Sequence, residues 1–210
     1  MTRSLTSRTA SAWSPDGQSI AYWQFDQHGM PEFSRVNYTD GLYPVIFRYP
    51  YPKAGQTNSA VRVGVVSASG GKTRWIKTPG NPRNTYITRM EWSGNREVIL
   101  QTMNRLQNTN DVLQANPESG EVRRVLRDQD DAWVDVNDQM RWLDGNRLLW
   151  TSEKDGWRHA YAVSRDGEMR LLTNSASDVI SVADRYGRGM ALLHCVAGGA
   201  HATLSVSHAS

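Results

Sequence analysis

A tryptophan followed by a tight turn and a β-rich segment occurs three times in this chain, and this repeat restricts the possible folds more than any other feature. Trp13 precedes Ser-Pro-Asp-Gly, Trp92 precedes Ser-Gly-Asn, and Trp142 precedes Leu-Asp-Gly-Asn. In each copy a glycine suits the turn, and the aliphatic and aromatic residues after it favour the second strand of a hairpin. The repeat therefore predicts antiparallel β-structure.

The spacing of the copies indicates which β-fold this is. Trp92 and Trp142 are 50 residues apart, about the length of one four-stranded propeller blade of roughly 40 to 50 residues. Trp13 and Trp92 are 79 residues apart, which corresponds to a blade plus an insertion. A weaker fourth copy begins at Ile180, and no segment shows a clear helical period. We predict an all-β fold, an incomplete β-propeller of about three to four four-stranded antiparallel blades.

Glycine-containing turns lie between the tryptophan copies, at 69–72, 116–120 and 164–167. Each is flanked by strand-like segments, so each predicts a further hairpin within a blade. The insertion, at about 25–58, contains Pro31, Pro44, Pro50 and Pro52. Because proline cannot donate to a sheet ladder, this segment is predicted to be an extended excursion outside the central strands.

Composition excludes several classes of protein. A hydrophobic fraction of 39% favours a globular chain over a disordered one. The net charge of +3 is small and the basic residues are scattered, which argues against nucleic-acid binding. The one cysteine, Cys195, allows no internal disulfide, and no apolar run is long enough to span a membrane. No cofactor or metal is predicted.

Several strings, in this order, resemble the N-terminal β-propeller of the dipeptidyl peptidase IV family. They are Trp13-Ser-Pro-Asp-Gly17, Gln24-Phe-Asp26, Tyr51-Pro-Lys-Ala-Gly55, Ala132-Trp-Val134 and Glu153-Lys-Asp-Gly-Trp-Arg-His159. The Trp-Ser-Pro-Asp-Gly turn is common to many propellers, whereas the Gln-Phe-Asp and Tyr-Pro-Lys-Ala-Gly strings are specific. The resemblance covers about residues 12 to 184.

The resemblance implies a serine exopeptidase that releases N-terminal Xaa-Pro or Xaa-Ala dipeptides, with an eight-bladed propeller and an α/β-hydrolase domain. It also implies that the parent protein is exported or periplasmic; the compartment of this chain itself is left unassigned. No Gly-x-Ser-x-Gly nucleophile motif occurs in the 210 residues, so no catalytic residue is predicted and the chain alone is expected to be inactive. Its expected partners are the peptide substrate of the full-length parent, the missing blades and the α/β-hydrolase domain.

The two ends differ from the family pattern. The family's paired glutamates, which bind the substrate's amino group, belong just before the first tryptophan turn, and this chain has Met1-Thr-Arg-Ser-Leu5 there. Permitted codons read in another frame allow family-like strings at both ends. We therefore hypothesise that 1–11 is a non-family leader and 191–210 a non-family tail, both read out of frame, around a partial propeller at 12–190.

One loop supplies the candidate substrate-binding residues. By the resemblance, Trp133, Asp135 and Asn137 align with a family loop that faces the substrate cavity, although Asn137 replaces an aromatic residue that a relative can have there. The alternative is a blade-connecting loop with Trp133 in the core. The nearby acidic residues, Asp128 to Asp138, are interpreted either as a cation site or, by preference, as a solvated loop, because they lack the glycine and terminal glutamate of a calcium hand.

Three functions follow from these observations. The preferred one is a fragment of the substrate-gating propeller of a dipeptidyl-peptidase-IV-like peptidase. The second is a free-standing propeller-type module that binds a protein or peptide. The third, a hydrolase with a novel site, is disfavoured because no pair of nucleophile and base is visible.

Overall fold

The computed structural model describes residues 11–206 apart from 139, 144–145, 175, 187–189 and 198–199, with side chains described as far as residue 181. All regular secondary structure in these ranges is β-strand. In chain order the strands are β1 (Ser11–Trp13), β2 (Ser19–Asp26), β3 (Glu32–Asn37), β4 (Val45–Pro50), β5 (Ala60–Ser67), β6 (Arg74–Trp75), β7 (Thr85–Ser93), β8 (Glu97–Asn104), β9 (Thr109–Ala115), β10 (Val122–Gln129), β11 (Arg141–Trp142), β12 (Arg147–Ser152), β13 (His159–Ser164), β14 (Met169–Leu171), β15 (Asp178–Tyr186), β16 (Met190–Ala197) and β17 (Ala200–Val206).

The strands form three four-stranded antiparallel sheets. Blade 1 has the order β1-β2-β5-β6, blade 2 contains β7 to β10, and blade 3 contains β11 to β14. A three-stranded sheet, β15 to β17, follows blade 3. This arrangement confirms the predicted all-β, incomplete propeller.

The three tryptophans of the repeat occupy equivalent positions. Each lies at or next to the end of the first strand of its blade, and each pairs with a residue at the start of the second strand. The pairs are Trp13 with Ile20, Trp92 with Val98, and Trp142 with Leu148. The sequence repeat therefore corresponds to the structural repeat.

The apolar core lies between the blades, so the central strands are buried on both faces. In β8, Val98 and Leu100 belong to the cluster shared with blade 1, whereas Ile99 belongs to the cluster shared with blade 3. Side chains alternate between the two faces of a strand, and six consecutive residues of β8 are buried as a result. Gln101 is two residues after Ile99, so its side chain lies on the same face of β8, towards blade 3.

Turns and indole groups also connect neighbouring blades. Trp23 of blade 1 donates a hydrogen bond of 3.1 Å to the carbonyl of Ile87 in blade 2. The turn residue Gly120 has a φ of +76°, and a Cβ there would lie 2.3 Å from the carbonyl oxygen of Trp75 in blade 1. The equivalent turn residue of blade 3, Gly167, is similarly close to Val125 of blade 2. Glycine at these turns lets successive blades approach closely.

The excursion predicted at 25–58 forms strands of its own. β3 and β4 pair as a two-stranded hairpin that is separate from the blade sheets. The prolines led to the prediction that this segment lies outside the central strands. They do not prevent the pairing, because Pro31 and Pro44 come just before the two strands and Pro50 ends the second, where no ladder hydrogen bond is lost. Several side chains of the hairpin are exposed, and Tyr43 in its turn is 78% exposed.

The division into 1–11, 12–190 and 191–210 stays a prediction. Residues 1–10 and 207–210 lie outside the described residues, as do the side chains of the whole predicted tail. The backbone of that tail carries most of β16 and all of β17.

Candidate functional site

A cavity of about 270 Å³ lies at the junction of blades 2 and 3. One wall is the segment that leaves β10 and runs towards β11, here called the junction loop and defined as residues 130–138. The opposite wall comes from the end of β12 and the turn that follows it, with Ser152 and Arg158 among its residues. The cavity therefore depends on how the junction loop is placed against blade 3.

The structure brings the three predicted binding residues together at this cavity. Trp133, Asp135 and Asn137 all line it. Trp133 is 61% exposed and Asn137 is 4% exposed, whereas Asp135 is an exposed residue. The alternative was a blade-connecting loop with Trp133 in the core. The segment does connect blades 2 and 3, but the core position of Trp133 is wrong, because its indole is exposed and Val134 and Val136 on either side of Asp135 are less exposed than it.

Hydrogen bonds from the turn between β8 and β9 hold the first half of the junction loop. The amide of Asp130 donates to the carbonyl of Asn108 at 3.1 Å, and the amide of Val134 donates to the carbonyl of Gln107 at 2.8 Å. Gln107 has a φ of 59° and is the only non-glycine residue with a positive φ in the described part of the chain. Such a conformation is uncommon for residues other than glycine, and the residues that adopt it cluster at active sites and ligand-binding sites.

Two buried amide side chains hold the second half of the loop. Gln101 bonds both backbone groups of Asn137: its Oε1 accepts from the amide at 3.1 Å and its Nε2 donates to the carbonyl at 2.8 Å. Asn110 Nδ2 donates to Gln101 Oε1 at 3.2 Å and lies 3.4 Å from the carbonyl oxygen of Asp135. Neither residue was predicted from the sequence. The available signal was a glutamine in the middle of the apolar run Val98-Ile-Leu-Gln-Thr-Met103.

The charges around the cavity are mainly negative. Lys154 and Arg158 line it together with four carboxylates, those of Asp128, Asp130, Asp135 and Glu153. Asp128 is fixed, because Trp150 Nε1 and Ser152 Oγ each donate to one of its oxygens at 2.8 Å. The ammonium of Lys154 lies 5.0 Å from the ring of Tyr161, which is not part of the cavity wall. The cavity thus favours a ligand with a positive charge.

The acidic residues show no metal site in the described ranges. No group of three or more His, Cys, Asp or Glu side chains there is arranged to hold a metal ion. Asp138, at the end of the run, forms an ion pair with Arg89 of blade 2. The interpretation of the acidic run as a solvated loop stays a prediction.

Next to the cavity, an aspartate, a histidine and a tyrosine stabilise the turn after β12. His159 Nδ1 and the Tyr161 hydroxyl both donate to Asp155 Oδ2 at 2.8 Å. The hydrogen bond from His159, with a smaller contribution from Tyr161, holds the pKa of Asp155 below its usual value. Burial is the main reason that the pKa of Tyr161 is raised. The buried His159 thus anchors a turn beside the cavity.

Comparison with known proteins decides the family. Residues 4–189 match the model of the dipeptidyl peptidase IV (DPP IV) N-terminal region. The chain belongs to the dipeptidyl peptidase IV family. Within the family, dipeptidyl peptidase 4 of Trichophyton rubrum is 27% identical over 191 residues, which are 83% of this chain and 24% of that protein. Inactive dipeptidyl peptidase 10 of Rattus norvegicus is 32% identical over 133 residues, 62% of this chain and 17% of that protein.

Solved structures of the family show the same fold. Dipeptidyl peptidase 4 of Porphyromonas gingivalis matches with a TM-score of 0.84 and 27% identity, over 95% of this chain and 29% of that one. A putative dipeptidyl aminopeptidase IV from Bacteroides ovatus matches with a TM-score of 0.80 at 22% identity, which supports the fold alone. The chain therefore spans between 17% and 29% of the length of the Rattus norvegicus, Trichophyton rubrum and Porphyromonas gingivalis relatives.

The relatives' names differ in what they say of activity. One matched relative is named a dipeptidyl peptidase and another an inactive one, so family membership alone does not assign a reaction to this chain.

Within the described residues, no helix has the length and apolar character needed to cross a membrane.

Proposed function

We propose that this chain is part of the substrate-gating propeller of a dipeptidyl-peptidase-IV-like serine exopeptidase, and that the junction loop contacts the peptide through Trp133, Asp135 and Asn137. The observation that carries the proposal is the position of these three residues on one cavity between two blades, in a chain that belongs to this family.

The chemistry of the cavity supports a peptide with a free amino terminus as the ligand. The excess of carboxylates attracts the ammonium group of such a peptide, and its carbonyl groups suit a donor such as the Arg158 guanidinium. The exposed indole of Trp133 offers a rigid apolar face to a small or cyclic side chain, as in alanine or proline.

The whole reaction, release of Xaa-Pro or Xaa-Ala dipeptides, belongs to the full-length parent in this proposal. Acyl transfer needs an activated nucleophile and an oxyanion hole, and no Gly-x-Ser-x-Gly motif occurs in these 210 residues. The residues described here select and orient the peptide, while an α/β-hydrolase domain supplies the chemistry. The chain alone binds without cleaving.

Calorimetric titration with the peptide Ala-Pro-Ala-Ala tests this proposal. We expect binding that weakens about tenfold when the peptide is N-acetylated, because the loss of one charge-assisted contact is worth about 1.4 kcal/mol. Trp133→Ala should weaken binding similarly. The matched control is Trp157→Ala, since Trp157 is 44% exposed and does not line the cavity.

Equal affinity for the free and acetylated peptides, or equal effects of the two tryptophan substitutions, would contradict the proposal. The DNA next to this reading frame separates it from a free-standing binding module. Further blades and a Gly-x-Ser-x-Gly segment are expected there only if the chain is part of a peptidase.

A further inference from the structure

Gln101 and Asn110 are neutral amides in two strands whose other buried residues are mainly apolar. Both are 0% exposed, and they lie on the adjacent strands β8 and β9 of blade 2. The three residues before Gln101 in β8, namely Val98, Ile99 and Leu100, are all buried and pack against the neighbouring blades. Side chains of this apolar kind would fill the same positions without the cost of removing an amide from water.

Most side-chain hydrogen bonds of these amides are directed at the junction loop, and Gln101 Nε2 also lies 3.7 Å from Met140 Sδ. The Gln101 side chain accepts from the backbone amide of Asn137 and donates to its carbonyl. A neighbouring strand in an antiparallel sheet would satisfy these two backbone groups in the same way. Asn110 Nδ2 is shared between Gln101 Oε1 and the carbonyl of Asp135. Asn110 Oδ1 is buried with no hydrogen-bond partner in the described part of the chain, a cost that the blade itself does not require.

The turn between the same two strands makes the other contacts to the loop. Gln107 has a left-handed backbone conformation, and its carbonyl accepts a hydrogen bond of 2.8 Å from the amide of Val134. Asn108 accepts from the amide of Asp130 at 3.1 Å. One hairpin, β8 and β9 with their turn, therefore binds the junction loop at residues 130, 134, 135 and 137.

We infer that Gln101 and Asn110 are positioning residues that hold the junction loop in its binding conformation and thereby place Trp133 and Asp135 on the cavity. This inference rests on the proposed function, because it assumes that the loop contacts the peptide. A loop fixed before binding loses little conformational entropy when the ligand arrives. These two amides therefore affect affinity although neither of them lines the cavity.

Two substitutions of similar volume test the inference, Gln101→Met and Asn110→Leu. Both remove the hydrogen bonds to the loop and leave apolar side chains that suit a blade interior. The matched control is Gln114→Met in β9, because Gln114 bonds Glu97 and Arg123 and does not contact the junction loop. Thermal melts verify that each variant of the complete 210-residue chain is folded.

Amide hydrogen exchange is the first measurement. In Gln101→Met we expect exchange at Asn137 to accelerate at least about tenfold, with a smaller acceleration at Val134, while the strands of blade 3 keep their protection. The Gln114→Met control should leave both amides unchanged. An even loss of protection over blades 2 and 3 would show a general structural role, and unchanged exchange at Asn137 in folded Gln101→Met would also overturn the inference.

Titration with Ala-Pro-Ala-Ala is the second measurement. Gln101→Met and Asn110→Leu should each weaken binding about tenfold, and the double variant should be little weaker than the single ones, because both act through one loop. Faster loop exchange with unchanged affinity would refute the positioning role. If the wild-type chain binds no peptide, the proposed function fails, and the exchange result still decides whether the two amides hold the loop.

Discussion

The indole nitrogen of Trp92 lies 3.0 Å from the carbonyl oxygen of Ala12 and donates a hydrogen bond to it. Ala12 belongs to β1 and Trp92 to β7, so the bond joins the first strands of two successive blades. Trp92 is partly buried in the cluster between these blades, whereas Trp13, at the equivalent position of blade 1, is 60% exposed. Equivalent positions in the repeat thus differ in burial and in hydrogen bonding, from which we expect unequal contributions to stability.

Replacing Trp92 with phenylalanine should lower the free energy of unfolding by about 1 to 2 kcal/mol, since it removes the bond to Ala12 and part of a packed ring. Trp13→Phe should change it by less than about 0.5 kcal/mol. Urea denaturation followed by circular dichroism measures both values. Equal effects of the two substitutions would show that the indole does not join the blades.

Substitution of Gly120 tests the close approach of blades 1 and 2. Alanine at this position combines a φ of +76° with a Cβ only 2.3 Å from the Trp75 carbonyl oxygen, whereas Gly156, with a φ of +94°, has no atom within 4 Å of its Cβ position. We expect Gly156→Ala to cost about 1 to 2 kcal/mol from backbone strain alone. Gly120→Ala should cost about 2 kcal/mol more, because the carbonyl must move. Similar denaturation midpoints for both variants would contradict this contact.

The hydrogen bonds to Asp155 predict a dependence of stability on pH. The pKa of this carboxylate is lower in the folded chain than in the unfolded chain, so its contribution is fully present above the unfolded pKa of about 3.9. The contribution is lost as pH falls through the lower folded pKa. The carboxylate is 36% exposed, so we expect no more than about 1 kcal/mol. Asp155→Asn should therefore be less stable than wild type at pH 7 and approach it below about pH 4.

Denaturation midpoints measured between pH 2 and pH 7 test this expectation. Asp166→Asn is the control, because its side chain is 92% exposed and its ion pair with Arg123, at 3.8 Å, is solvated. A difference between wild type and Asp155→Asn that stays constant over the whole pH range would exclude a role for the ionised carboxylate.

The purified chain should not hydrolyse Gly-Pro or Ala-Pro chromogenic substrates above the rate in buffer. One oxyanion-hole donor alone is worth about 3 kcal/mol of transition-state stabilisation, and the nucleophile motif that accompanies such donors in this family does not occur in these 210 residues. A contaminating peptidase is the main alternative source of a signal. Activity that persists through repurification and disappears with a serine-directed inhibitor would refute the prediction.

The blades were predictable from sequence because their signals are local. A tryptophan, a glycine turn and a β-rich run lie within about ten residues of one another, and each fixes a hairpin corner. The β3 and β4 hairpin was not predicted as strands. Its residues are largely exposed on both faces, so they lack the alternation of apolar and polar residues that marks a half-buried strand.

The candidate site was predicted only in part, because some of its residues are far apart in the sequence. Trp133, Asp135 and Asn137 came from a family resemblance within one short segment. The residues that hold that segment, Gln101 and Asn110, precede it by about 25 to 36 positions and contact it only after blade 2 has folded. A buried amide in an apolar strand signals a polar partner, but the sequence alone does not identify that partner.

The excursion between β2 and β5 begins and ends on a single rung of blade 1. Asp26 and Ala60 are directly opposite each other in the ladder, so the residues at 27–59 leave the sheet and return to it without changing its register. The cost of closing such a loop rises only by about 0.6 kcal/mol for each doubling of its length. The register of blade 1 is consequently compatible with excursions of different length. Evolution or an engineer can therefore change the length and the outer surface of this arm at little cost to the sheet, provided that the carbonyls of His28 and Asn58 at its ends still accept hydrogen bonds from Arg83.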